Sequence, residues 1–203
     1  SNSFAVAASF MLVAGAVLAA LVPLGWLAIT LVGNGAGPSA DPQWWTQPPI
    51  RGGAGNAIIG TLIQTALAAV ISVPLGILVA IYLVEYSDRR SAMARATTFM
   101  VDILSGVPSI VAALFVYAAW RTTLGFERSG FVVAIALVLL MVPLVVRSTE
   151  EMLKIVPQDL REASYALGIP KWKTIARIVL PTALSGIVTG VMLAIARVMG
   201  ESA

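Results

Sequence analysis

Apolar residues along this chain gather into five long runs separated by short polar stretches, without the strict alternation of half-buried strands. The runs cover residues 10–32, 57–84, 96–120, 130–146 and 180–199. Each reaches roughly 17 residues or more, the length at which a helix crosses a ~30 Å hydrocarbon core. Backbone groups in lipid need partners within their own segment, so runs of this kind are helices, and the two-residue period of barrel strands is absent. The pattern predicts an all-α, polytopic transmembrane helical bundle with about five spanning helices in one domain, 1–203, and a Gly- and Pro-rich external loop at 33–56. One polar interruption differs from the rest: EASYALGIPKWKTIARIVLP, from Glu162 to Pro181, is amphipathic and lies between two apolar runs.

Composition agrees with that reading and removes other classes. With 59% hydrophobic and 11% charged residues and a mean hydropathy of +0.92, the 203-residue chain is not a soluble domain. The first run is too long for a signal peptide and no charged segment precedes it, so it reads as a span; Ser1-Asn2-Ser3 suggests a trimmed terminus. Cysteine and histidine are both missing, which argues against disulfides, thiolate chemistry, haem ligation and most zinc sites, and no cofactor or metal is expected.

Basic residues orient the bundle, because short cytoplasmic loops retain Lys and Arg. Arg89, Arg90 and Arg95 fall in one interval, and Arg147, Lys154, Arg161, Lys171, Lys173 and Arg177 in another, so both are expected inside. The 33–56 stretch holds only Arg51, and the 120–130 stretch Arg121 and Arg128, so these are expected outside, with the amino terminus inside. The net charge of +3 then reflects topology. The partner it implies is a lipid bilayer, and no nucleic acid is expected.

From Pro157 the chain reads PQDLREASYALG, with Pro at a first helical position, Gly168 as a stop and Pro170 beyond it. This predicts a short cytoplasmic helix within 157–170. Leu160, Ala163, Ser164 and Leu167 recur at i, i+3, i+4 and i+7, forming a small apolar face, while Arg161, Glu162 and Tyr165 point elsewhere. So short a helix is marginal alone and calls for a groove on a partner. The alternative is an amphipathic helix lying on the lipid surface, suited by Lys171, Trp172 and Lys173.

Glu162-Ala163-Ser164, Gly168 four residues after Ser164, Ile178 and Leu180-Pro181 resemble the EAA motif of ABC importer permeases. That resemblance implies that Leu160, Glu162, Ala163, Ser164, Leu167 and Gly168 form a coupling helix seated in a cytoplasmic ATPase. Ser164 stands where the family usually has a second Ala; being small, it should leave docking intact. Further stretches are similar to phosphate-uptake permeases of the PstA type: NAIIGTL from Asn56, PLGI from Pro74, YLVEY from Tyr82, DILSGVPSIV from Asp102, RSTEE from Arg147 and AIARVMGE from Ala194.

The resemblance implies a MetI-like ABC importer permease fold and a type I importer in the bacterial cytoplasmic (inner) membrane. Its implied partners are a cytoplasmic ABC ATPase dimer, a sister permease subunit of the PstC type and an extracytoplasmic phosphate-binding protein. Family members continue beyond the Gly-Glu at Gly200-Glu201 into another span, so the chain reads as C-terminally truncated.

Charges within or beside apolar runs are expensive and therefore candidates for function. Arg197 and Glu201, at i and i+4, share a helix face and are expected to pair; Arg197 is the candidate phosphate-path or gating residue, since Arg suits phosphate oxygens. The alternative for Arg197 is a structural ion pair with another helix. Arg147 ends the fourth run, with Glu151 at i+4 and Lys154 four residues after Glu150; it reads as a second cation at the inner mouth or as part of a solvated ladder. Asp102 would repel phosphate, so it reads as a partner for a cation or as an interfacial group. Gly186, Gly190 and Ala194 form a small-residue stripe for close helix packing. Pro74, Pro108 and Pro143 mark bends.

Pumping an anion against an inside-negative potential costs about 2.3 kcal/mol per charge per 100 mV. The chain contains no G-x-x-x-x-G-K-[S/T], so ATP hydrolysis is assigned to another polypeptide and the protein is read as a non-enzymatic subunit. Alternating access by rigid-body motion is expected, with the segment at Glu162 relaying the movement. A permease for another oxyanion or an amino acid fits the coupling segment equally well. A non-transporting enzyme or scaffold would need a matched nucleophile and base, and nothing suggests such a pair.

Overall fold

The computed structural model describes residues 2–88, 91–123, 125, 127 and 129–202. Arg89, Arg90 and Arg128, used above for orientation, lie outside the described residues. Two compact units divide the chain, residues 1–58 and 59–203.

In the first unit, α1 (Asn2–Ser39) extends well past the apolar run and through Gly33, Gly35 and Gly37. Hydropathy measures the lipid-embedded portion of a helix, and a glycine costs only about 1 kcal/mol in a helix interior, so these residues weaken the helix without ending it. The polar stretch between helices therefore shortens to residues 40–54. It holds two 3₁₀ turns, Pro42–Trp45 and Pro49–Arg51, each opening on a proline. The Asp41 carboxylate accepts from the Gln43 N–H at 2.9 Å, and the Trp45 indole donates to the Ser39 carbonyl at 3.0 Å.

The second unit is a helical bundle. Its elements are α2 (Gly55–Ile81, begun in the first unit), α3 (Ala92–Gly106), α4 (Ser109–Ala118), α5 (Gly130–Ile155), α6 (Gln158–Ala166), α7 (Lys171–Thr174) and α8 (Leu180–Ser202). Widened π turns prolong α2 over Tyr82–Tyr86 and α4 over Ala119–Thr123, and another joins α7 to α8 over Ile175–Val179. Proline explains the last one: Pro181 has no N–H, and its ring crowds the carbonyl of Arg177, so the helix widens and continues. The final span consequently begins at Lys171, well before the apolar run.

Among the described residues, four helices are long and apolar enough to cross a membrane, or five if the bent pair α3 and α4 counts as one. The span expected over 96–120 is broken, its two halves meeting at 106°. Val107 is extended (φ −72°, ψ 127°), the conformation that a following proline imposes. The pair still passes from one end of the bundle to the other. Ala94 and Arg95 lie beside Leu83 and Val84 at the end of α2, while the Trp120 ring meets Phe131 at the start of α5, 5.9 Å between centroids.

Helix α5 is the centre of the unit, with Met141, Val145, Val146, Thr149 and Leu153 fully buried. Against it α2 turns a face of small buried residues, Thr65, Ala68, Ser72, Gly76 and Ala80, which lets the two backbones approach. Helix α8 approaches α5 through the expected stripe: a Cβ at Gly190 would stand 2.6 Å from Cβ of Ser148, and one at Gly186 would collide with Met152. The stripe thus serves packing within the chain.

Candidate functional site

The short helix α6 exists because its ends are specified. Val156 and Pro157 are extended and terminate α5, and Asp159 places negative charge in the first turn of α6, where the helix dipole favours it. Gly168 adopts φ +74°, which glycine tolerates without strain. The Gly168 N–H then donates to the Tyr165 carbonyl at 2.9 Å and that of Ile169 to the Ser164 carbonyl at 3.2 Å, the hydrogen-bond pair of a Schellman stop.

Leu160, Glu162, Ala163, Leu167 and Gly168 face outward, whereas Ser164 is buried. The Ser164 hydroxyl lies 2.7 Å from that of Thr174, joining α6 to α7. The expectation that Ser164 shares a face with Leu160, Ala163 and Leu167 is corrected: it lies on the inward side with Arg161, which is buried as well. Its Nη2 donates to Glu85 Oε1 at 2.8 Å, and further bonds reach the α5 carbonyls of Leu153 and Val156. Burying a guanidinium requires this full set of acceptors. The contact puts the end of α2 and the stretch from Lys154 onward at one end of the bundle, matching the shared side that their basic residues suggested.

A cavity of about 660 Å³ opens at that end, lined in part by Arg95, Thr98, Asp102, Arg147, Glu150 and Lys154. Asp102 does find a cation: it pairs with Arg147, linking α3 to α5. Arg147 also bonds Glu150 at 2.9 Å, and Lys154 reaches Glu150 at 2.7 Å. The expected ladder is therefore centred on Glu150, and Glu151 stays exposed. Arg147 already has two carboxylate partners in this conformation.

Arg197 and Glu201 line a separate pocket of about 310 Å³ with Ser105, Gly106, Pro108 and Ser109 at the α3–α4 break. Their expected mutual pairing is not formed: the two side chains make no ion pair, and both are exposed to the pocket side. The break supplies the first turn of α4, whose free N–H groups carry partial positive charge. The exposed face of α6, the cavity at Arg147 and this pocket are thus distinct places along one bundle.

Sequence reasoning missed Glu85 and Thr174 as partners, and Glu150 as a partner of Arg147, although it did set Glu150 beside Lys154. Glu85 carried a usable signal, since a carboxylate ending an apolar run is costly enough to demand a cation. Nothing local in the sequence indicated which one, because Arg161 is 76 positions away.

Long apolar helices, a half-way break lined by charge and a capped polar helix at one end define a multi-pass helical membrane protein. The chain belongs to the family described as binding-protein-dependent transport system inner membrane component, which matches residues 72–203. It is 56% identical over 191 residues to the phosphate transport system permease protein PstA 1 of Mycobacterium tuberculosis, covering 91% of this chain and 62% of that protein. Against PstA of Mycobacterium leprae the identity is 55% over 193 residues, 92% of this chain and 63% of the relative. Against PstA of Yersinia pestis it is 51% over 160 residues, 78% and 54%. The chain therefore spans somewhat under two thirds of these relatives. In fold it is similar to the inward-facing MetNI methionine ABC transporter, with TM-score 0.63 and 23% identity over 80% of this chain and 74% of that one.

Proposed function

We propose that this chain is the membrane permease subunit of an ATP-driven phosphate importer in the bacterial cytoplasmic membrane. The observation that carries the reading is identity above one half, over nine tenths of the chain, with relatives named as phosphate transport permeases. The pocket at the α3–α4 break supports it chemically. Among the described residues Arg197 has no carboxylate partner, and the first turn of α4 faces the same space, so a cation and a helix N-terminus converge where an oxyanion could be held. Glu201 at the rim would weaken retention, which favours passage over storage.

The partners of this reading are a cytoplasmic ABC ATPase dimer docked on the outward face of α6, a sister permease of the PstC type and an external phosphate-binding protein. Closure of the ATPases would move α6 and tilt the helices around the passage. Asp102 and Arg147 would act at the inner mouth, their mutual pair closing the cation to solute until α3 and α5 part.

The test is phosphate uptake by vesicles holding the complete complex. Arg197→Ala should lower uptake at least about tenfold, the loss of a charge-assisted contact, with ATPase binding retained. Unchanged uptake would remove Arg197 from the path.

A further inference from the structure

The inward side of α6 is polar, and its bonds run to three other elements. The Arg161 guanidinium donates through Nε (3.1 Å) and Nη2 (2.8 Å) to Glu85 in the turn that ends α2. Nη1 donates to the carbonyl of Val156 at 2.7 Å and Nη2 to that of Leu153 at 2.9 Å. Those carbonyls belong to the end of α5, where the helix has no N–H of its own to offer. One side chain therefore caps α5, pairs with α2 and belongs to α6. Both charged side chains are almost wholly buried, so solvent screens the pair little. Lys171 adds a clasp nearby, its Nζ 5.2 Å from the centre of the Tyr86 ring. The hydroxyl contact of Ser164 with Thr174 then ties the same face of α6 to the base of the last span.

Resting on the transport reading above, we propose that Arg161 is the positioning residue that makes α6 and the inner ends of α2 and α5 move as one body. A helix of nine residues joined to α5 through an extended Val156-Pro157 would otherwise pivot at that joint and dissipate the movement of a docked partner. The bonds of Arg161 to Leu153 and Val156 run back over the joint, those to Glu85 brace it from α2, and together they remove the pivot. Docking lies on the opposite face, so Arg161 acts on the transmission of movement and leaves attachment of the partner alone.

The experiment uses the complete complex in proteoliposomes with its binding protein. Arg161→Ala strands Glu85 in a buried site, so a second variant, Glu85→Met with Arg161→Met, removes both charges at similar volume and keeps the fold. Three quantities are read: ATPase retained on the membrane, ATP hydrolysed, and phosphate carried per ATP. The proposal expects retained ATPase and a phosphate-to-ATP ratio lowered about three- to thirtyfold, the range for a network residue touching neither ligand. An unchanged ratio in the double Met variant overturns it.

A spectroscopic arm is independent of the solute. The chain has no cysteine, so spin labels go on Glu151→Cys in α5 and Ala166→Cys in α6, both exposed. Their separation should stay fixed between nucleotide-free and ATP-trapped states, and should widen on ATP binding in the double Met variant. If the parent complex hydrolyses ATP but carries no phosphate, the phosphate reading fails. The label separation then decides alone: widening in the variant upholds the tie, and a fixed separation there overturns it.

Discussion

Asp102 and Arg147 meet with side chains 56% and 34% exposed, whereas Arg161 and Glu85 meet at 9% and 5%. Exposure decides what each pair is worth. A solvated pair contributes at most about 1 kcal/mol, while breaking a buried one from one side costs about 3–5 kcal/mol. In thermal unfolding of the purified chain, Asp102→Asn should therefore cost less than about 1 kcal/mol and Arg161→Ala several times that. The reverse order would refute the exposure argument. Close approach of helices gives a second contrast. A Cβ at Gly76 would lie 2.7 Å from Val145 Cγ1 and 3.3 Å from the Val146 nitrogen, while at Gly60 nothing lies within 4 Å. Gly76→Ala should cost about 1–3 kcal/mol by overpacking, and Gly60→Ala should be neutral or slightly stabilising. Spacing in the sequence grouped Leu160, Ala163 and Leu167, which share the exposed face, but placed Ser164 with them, and it could not tell which side faces the bundle. A carboxylate 76 positions upstream settled that by drawing Arg161 inward.

Helices were legible where lipid demands them and less so where it does not. The apolar runs are helical, the third apart from its break at Val107 and Pro108, because an unpaired backbone in hydrocarbon is prohibitive. Their ends were misjudged at Ser39 and Lys171, since polar turns beyond the lipid leave no hydropathy signal. The break at Val107 was hidden for a related reason: a bent pair of apolar helices has the same composition as a straight one. Pro108 was visible, but a single proline permits either a kink or a full break, and the outcome depends on what surrounds it. Pro108→Ala restores an N–H donor and frees Val107 to be helical. The expected result is continuation of α3 into α4, closing the pocket that Arg197 lines. A Ser109→Cys reporter should then react more slowly with a charged maleimide than in the Pro108 parent, and phosphate uptake should fall with it. An unaltered reaction rate would mean that packing against α5, and not the proline, holds the bend.

For the whole molecule, the sidedness of the bundle decides whether α6 can work as a docking helix. The contact of Arg161 with Glu85, and the cavity shared by Arg95 and Lys154, place basic residues of α3, α5 and α6 at one end, and the Trp120–Phe131 contact lies at the other. Retention of Lys and Arg on the cytoplasmic side predicts that the α6 end is the inner one. Two single cysteines test this in a chain that has no other. Thr123→Cys, in the turn that prolongs α4, should react with a membrane-impermeant maleimide in intact cells. Leu167→Cys, at an exposed position of the proposed docking face, should react only after the membrane is opened. A partner seated on α6 should also shield Leu167→Cys, so its labelling should fall when the ATPase is co-expressed and recover when the ATPase is stripped away. Labelling of Leu167→Cys from outside intact cells would invert the bundle and leave the helix with no nucleotide-driven partner to meet. Inside labelling without shielding would keep the orientation but move the docking surface elsewhere on the inner end, with the buried Arg161 tie left to serve stability alone.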